Sequence, residues 1–139
     1  MNKKRIVLVD DHDMVREGFK IALQNTDKYE IIGEASDGKE AIELYRMAVE
    51  DETPFDLICL DIMMPEMNGH EALKEIRKIE ADTGIKFKDR TVIFMMTALD
   101  SPKDVFAAFN VGDCSEYIVK PINRKKLINL LKEYKLLTD

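Results

Sequence analysis

Sulfur ligands are scarce in this 139-residue chain, whose two cysteines, Cys59 and Cys114, stand in no CxxC or CxxH spacing. That argues against a thiolate-held metal and suits a reducing compartment. Cys59 lies inside an apolar run and reads as a small buried side chain, Cys114 as a loop residue. Basic charge is also short, with 21 Lys and Arg against 27 Asp and Glu and a formal net charge of -6. A nucleic-acid surface needs clustered cations to neutralise phosphates, so the balance argues against that class. No apolar run nears membrane-spanning length. The positive start Met1-Asn2-Lys3-Lys4-Arg5 leads into only four apolar residues before Asp10, too few for a signal peptide. No repeat, low-complexity tract or Gly/Ser linker breaks the pattern. The chain therefore reads as one soluble, cytoplasmic domain. Its 45% hydrophobic and 35% charged residues are ordinary for a globular protein, and its length allows a real core.

What the sequence does contain is alternation of apolar runs with helical periodicity, the mark of successive βαβ units and a parallel sheet. Strands are expected near residues 5–10, 29–35, 56–61, 91–97 and 115–119, and helices near 13–25, 38–50, 69–82, 102–111 and 123–136. Helical spacing puts Val15, Phe19, Ala22 and Leu23 on one face. It does the same for Ala41, Leu44, Tyr45 and Ala48, and for Leu127, Leu130, Leu131 and Tyr134. Asp37-Gly38 punctuates one strand-to-helix turn, and Asp100-Ser101-Pro102 offers a cap followed by Pro at the first helical position. The segment 81–90 is longer than most connections of its kind. It reads as a surface loop with Ile85 and Phe87 packing down.

Four of the apolar strands end in a polar group. Asp10-Asp11 follows Ile6-Val7-Leu8-Val9, Asp61 ends Leu57-Ile58-Cys59-Leu60, Thr97 ends Val92-Ile93-Phe94-Met95-Met96, and Lys120-Pro121 follows Tyr117-Ile118-Val119. In an open doubly wound sheet, ligands bind beyond the carboxyl ends of the strands. An ionised side chain closing a buried run is costly without partners, so these groups are expected to converge on one site. Three carboxylates held together repel one another unless a cation sits among them. Oxygen donors favour a hard cation such as Mg²⁺. Asp61 then stays ionised and can act as a nucleophile toward a phosphoryl group, a role carboxylates do take. The transferring group needs charge neutralised and geometry fixed, which the cation, the Lys120 ammonium and the Thr97 hydroxyl would supply.

These residues, with the turn Met63-Met64-Pro65-Glu66-Met67-Asn68-Gly69, resemble the receiver domain of two-component response regulators, the CheY-like family, from about Arg5 to about Leu137. The resemblance implies a flavodoxin-like (βα)5 fold with a five-stranded parallel sheet in the order 2-1-3-4-5. It implies Asp61 as phosphoacceptor, Asp11 as a direct ligand of Mg²⁺ (or Mn²⁺), Asp10 as a ligand through water, and the Met63 backbone carbonyl as a further ligand. Thr97 and Lys120 would contact the phosphoryl oxygens, and Tyr117 matches the aromatic that moves with Thr97 on activation. The implied donor is a histidine kinase or a histidine phosphotransfer protein, and the signal passes by contact with a downstream protein. No nucleic acid, membrane or independent enzymatic turnover is implied, and phosphorylation-dependent dimerisation stays open. Because the chain ends soon after the last helix, it reads as a stand-alone receiver over residues 1–139 without an output domain.

Two features depart from the family pattern. Four residues separate Gly112 from Tyr117 where three are usual, which puts the turn before the fifth strand out of pattern. Met63 and Leu99 are apolar at positions flanking the path of hydrolytic water, which implies slow loss of the phosphoryl group. Neither histidine receives a role, His12 being expected at a solvent-facing helix start and His70 at the surface. Two other functions compete. A pseudo-receiver would bind partners without phosphorylation, although such proteins tend to lose the acidic residues kept here. A phosphatase of the haloacid-dehalogenase type needs a second Asp two residues after the nucleophile, where this chain has Met63.

Overall fold

The computed structural model describes residues 3–23, 28–62, 64, 67–86, 89–97, 115–119 and 124–134. Five strands, β1 (Lys4–Val9), β2 (Tyr29–Ala35), β3 (Leu57–Asp61), β4 (Val92–Thr97) and β5 (Glu116–Val119), form one parallel sheet in the order β2-β1-β3-β4-β5. Among the described residues four helices cover it, α1 (Asp13–Leu23), α2 (Gly38–Glu50), α3 (Gly69–Asp82) and α4 (Arg124–Glu133). The expected helix at 102–111 lies outside the described residues. The chain passes from β1 outward to β2, then back across β1 to β3. The strand order therefore reverses between β1 and β3, the place where such sheets bind ligands.

Successive strand residues point to opposite faces, and both faces are buried, which is why the runs are continuously apolar. Val7, Val9, Ile58, Leu60, Ile93 and Met95 pack against Ala41, Ile42, Tyr45 and Ala48 of α2 and Ala72, Leu73, Ile76 and Ile79 of α3. The alternate residues Ile6, Leu8, Leu57, Cys59, Phe94, Met96 and Ile118 pack against Phe19 and Leu23 of α1 and Leu127, Leu130 and Leu131 of α4. Each large apolar side chain taken fully from water contributes roughly 1.5–3 kcal/mol. These two layers fix the sheet and, with it, the positions of the strand ends.

The helix starts are set by polar side chains. Asp37 caps α2 by accepting a hydrogen bond from the Glu40 N–H at 3.0 Å. Asn68 and Glu71 form a reciprocal capping box on α3, with distances of 3.0 and 3.3 Å. Ile85, in the connection after α3, is half-buried as expected, and Phe87 lies outside the described residues.

Candidate functional site

The register of the sheet brings the predicted residues to one end. Val9 pairs with Leu60, so Asp10 and Asp61 leave neighbouring strands at the same level. Asp61 pairs with Met96 on its other side, which sets Thr97 one residue further along β4. Asp10, Asp61 and Thr97 are 1%, 2% and 1% exposed, whereas Asp11 faces solvent. Carboxylate oxygens of Asp10, Asp11 and Asp61 and a ring nitrogen of His12 all lie within 4.8 Å of one another. Tyr117 is half-buried on β5 and packs against the layer under α2 and α3. Met63, Leu99 and Lys120 lie outside the described residues.

The chain holds this cluster from both sides. The Asp10 N–H donates to the Ala35 carbonyl at 3.0 Å, and an Asp10 carboxylate oxygen accepts from the His12 N–H at 2.9 Å. The Arg16 guanidinium donates to the Asp10 carbonyl, to Asp13 and, through Nε at 3.0 Å, to Glu34 on β2. Lys20 reaches the same Glu34 at 2.8 Å. Its hydrogen bond holds the Glu34 carboxyl below the usual range, and Arg16 acts in the same direction. The start of α1 is thus tied to both β1 and β2.

Behind Asp61, Gly69 donates its N–H to the Ile62 carbonyl at 2.9 Å. A Cβ at this glycine would collide with the Asp61 carbonyl oxygen and lie 2.8 Å from Ile62 Cα. The turn closes this tightly because residue 69 has no side chain.

A set of three carboxylates and one imidazole at this spacing fits a divalent cation. Its members offer one ligand atom each within 4.8 Å of one another, and a shared ion would offset their mutual repulsion. His12 is the member that sequence reasoning passed over. Its side chain is 64% exposed, as expected, yet Nδ1 lies 3.1 Å from an Asp10 oxygen and 3.0 Å from an Asp11 oxygen. The available signal was its place directly after the acidic pair, where the first turn of α1 begins. Periodicity does not report where a residue at a helix start points.

A profile of the response regulator receiver domain matches residues 6–132. The transcriptional regulatory protein YdfI of Bacillus subtilis is 34% identical over 131 residues, covering 94% of this chain and 54% of the relative. The chemotaxis protein CheY of Thermotoga maritima is 33% identical over 130 residues, covering 94% of this chain and 96% of the relative. The chain thus spans about half the length of YdfI and nearly all of that CheY. The solved structure of chemotaxis protein CheY4 of Vibrio cholerae superposes with a TM-score of 0.73 at 30% identity, covering 96% of this chain and 99% of the other. Among the described residues, no helix is long and apolar enough to cross a membrane.

Proposed function

Because this chain belongs to the response regulator receiver family, we propose that it is a phosphoacceptor switch in which Asp61 takes a phosphoryl group from a histidine kinase or a histidine phosphotransfer protein. The observation that carries this reading is the convergence of Asp10, Asp11 and Asp61 within 4.8 Å at the carboxyl ends of β1 and β3.

An Asp61 carboxylate oxygen attacks phosphorus as the donor's P–N bond breaks, and the electron pair of that bond returns to the imidazole nitrogen. Asp10, Asp11, Asp61 and the Met63 carbonyl would hold a Mg²⁺ or Mn²⁺, which when bound neutralises charge on the transferring group. The Thr97 hydroxyl, at the end of the adjacent strand, donates a hydrogen bond to a phosphoryl oxygen, and Lys120 adds a positive charge. Burial of Asp61 strengthens each of these interactions relative to water.

The added charge draws Thr97 toward Asp61, and Tyr117 repacks on β5. The surface around β5 and α4 then presents a different face to a protein partner, so a local electrostatic event biases a two-state element. The protein acts in the cytoplasm, by contact and without independent turnover.

Intact-mass spectrometry after incubation with acetyl phosphate and Mg²⁺ tests the reading. A single phosphoryl adduct is expected in the wild type, dependent on the cation and absent from Asp61→Asn. No adduct under prompt sampling with candidate kinases would leave a pseudo-receiver. An adduct that survives in the variant would place the acceptor elsewhere.

A further inference from the structure

Building on the phosphoacceptor reading, we infer that His12 is an additional protein ligand of the cation site and tilts its selectivity from Mg²⁺ toward transition-metal cations such as Mn²⁺.

The backbone fixes where the imidazole starts. The His12 N–H is bound to an Asp10 oxygen at 2.9 Å, and its carbonyl accepts the N–H groups of Val15 and Arg16 at 3.2 and 3.3 Å. Its ring therefore leaves the chain from a point held by the acidic pair on one side and by α1 on the other. Around a cation with bonds of about 2.1 Å, adjacent donors in an octahedral shell lie about 3.0 Å apart and opposite ones about 4.2 Å. Nδ1 lies 3.1 Å from Asp10, a hydrogen-bond length, and 3.0 Å from Asp11, a separation that also suits adjacent donors on one cation. The four candidate donor atoms lie within 4.8 Å of one another, up to about 0.6 Å beyond the opposite positions of such a shell, so the side chains would close in on the ion.

Donor chemistry gives the consequence. Mg²⁺ prefers oxygen, and carboxylates completed by waters and phosphoryl oxygens suit it. Imidazole nitrogen contributes more to the later first-row cations, whose affinities rise from Mn²⁺ toward Cu²⁺. To coordinate, Nδ1 must be the unprotonated nitrogen, with the proton on Nε2. The ring is 64% exposed, so an Nε2–H can bond to water without burying a polar group.

The experiment titrates the full chain, its His12→Ala variant and its His12→Gln variant with Mg²⁺ and with Mn²⁺ by calorimetry. Pulsed electron paramagnetic resonance of bound Mn²⁺ then reads directly coordinated nitrogen. The expected result is a nitrogen coupling in the wild type that both variants lose. Mn²⁺ affinity should fall about tenfold in the variants while Mg²⁺ affinity stays within about twofold. Mn²⁺ bound to the wild type without nitrogen coupling overturns the role of His12 and leaves the phosphoacceptor reading intact. Equal losses for both cations would also overturn it, since the histidine would then only position the carboxylates. Failure of the wild type to bind either cation overturns both readings together. The resonance measurement needs only the wild type, so a variant that does not fold leaves the test decisive.

Discussion

Gly69 shows how closely one residue can govern the site. It is the first residue of α3, and its Cα lies against the peptide that carries Asp61. The obstruction facing an added methyl is backbone, the Asp61 carbonyl and Ile62 Cα, which cannot rotate away as a side chain can. Gly69→Ala is therefore expected to cost about 1–3 kcal/mol in overpacking and to displace the Asp61 peptide. Urea denaturation should show the lost stability, and phosphoryl labelling by acetyl phosphate should fall with it. Wild-type values for both would mean that the α3 start yields freely. Asp10, Asp61 and Thr97 were legible in the sequence because each closes an apolar run, and a strand end is where a charge or hydroxyl can meet a ligand. The close approach at Gly69 was legible only as a turn. The proximity of His12 to the acidic pair was not legible, since it depends on the direction of α1 as it leaves β1.

At the scale of elements, strand and helix positions followed from apolar runs and caps, and the expected bounds of α2 and α3 coincide with those observed. The lock between α2, α3 and β4 was harder to see. Glu80 lies on the same stripe of α3 as Ala72, Leu73 and Ile76, four and eight residues on from Ile76 and Ala72, and is 1% exposed. A charge on a buried stripe was the available signal, but the sequence does not name its partners. They come from three places: the Tyr45 hydroxyl on α2 at 2.8 Å, Arg77 at 2.8 Å, and the Thr91 N–H before β4 at 2.9 Å. Arg90 Nε lies 3.5 Å away, and Arg77 also donates to the Thr91 carbonyl at 2.9 Å. Removing one member of a buried charged network leaves the others desolvated and unmatched. Glu80→Ala is thus expected to lower unfolding free energy by about 3–5 kcal/mol, measured by denaturant titration. A loss under about 1 kcal/mol, the level of an exposed ion pair, would show that water reaches these groups.

For the molecule as a whole, burying both faces of the sheet also holds acidic hydroxyl and thiol groups in their neutral forms. Burial pushes the Cys59 thiol on β3 from an ordinary 9.0 up to about 12. It pushes the Tyr29 phenol on β2 from 10.0 up to about 12. Tyr45 is raised as well, first by burial and then by its hydrogen bond to Glu80. Each of these groups becomes charged by losing a proton, and each loses it more readily in the unfolded chain. Below about pH 9 both states are protonated, and the groups leave stability independent of pH. Between the ordinary values and about 12, the unfolded chain binds fewer protons than the folded one, so stability falls as pH rises. The slope is about 1.4 kcal/mol per pH unit for each group that titrates only in the unfolded chain. Urea midpoints measured across this range should therefore stay level to about pH 8.5, decline beyond 9, and decline more steeply past 10 as the tyrosines join the thiol. Cys59→Ala should remove the first part of the decline while leaving the second. A midpoint that stays level to pH 11 would mean that these groups ionise as readily in the folded chain. The two apolar layers that align the strand ends, and with them Asp10, Asp61 and Thr97, would then be open to water.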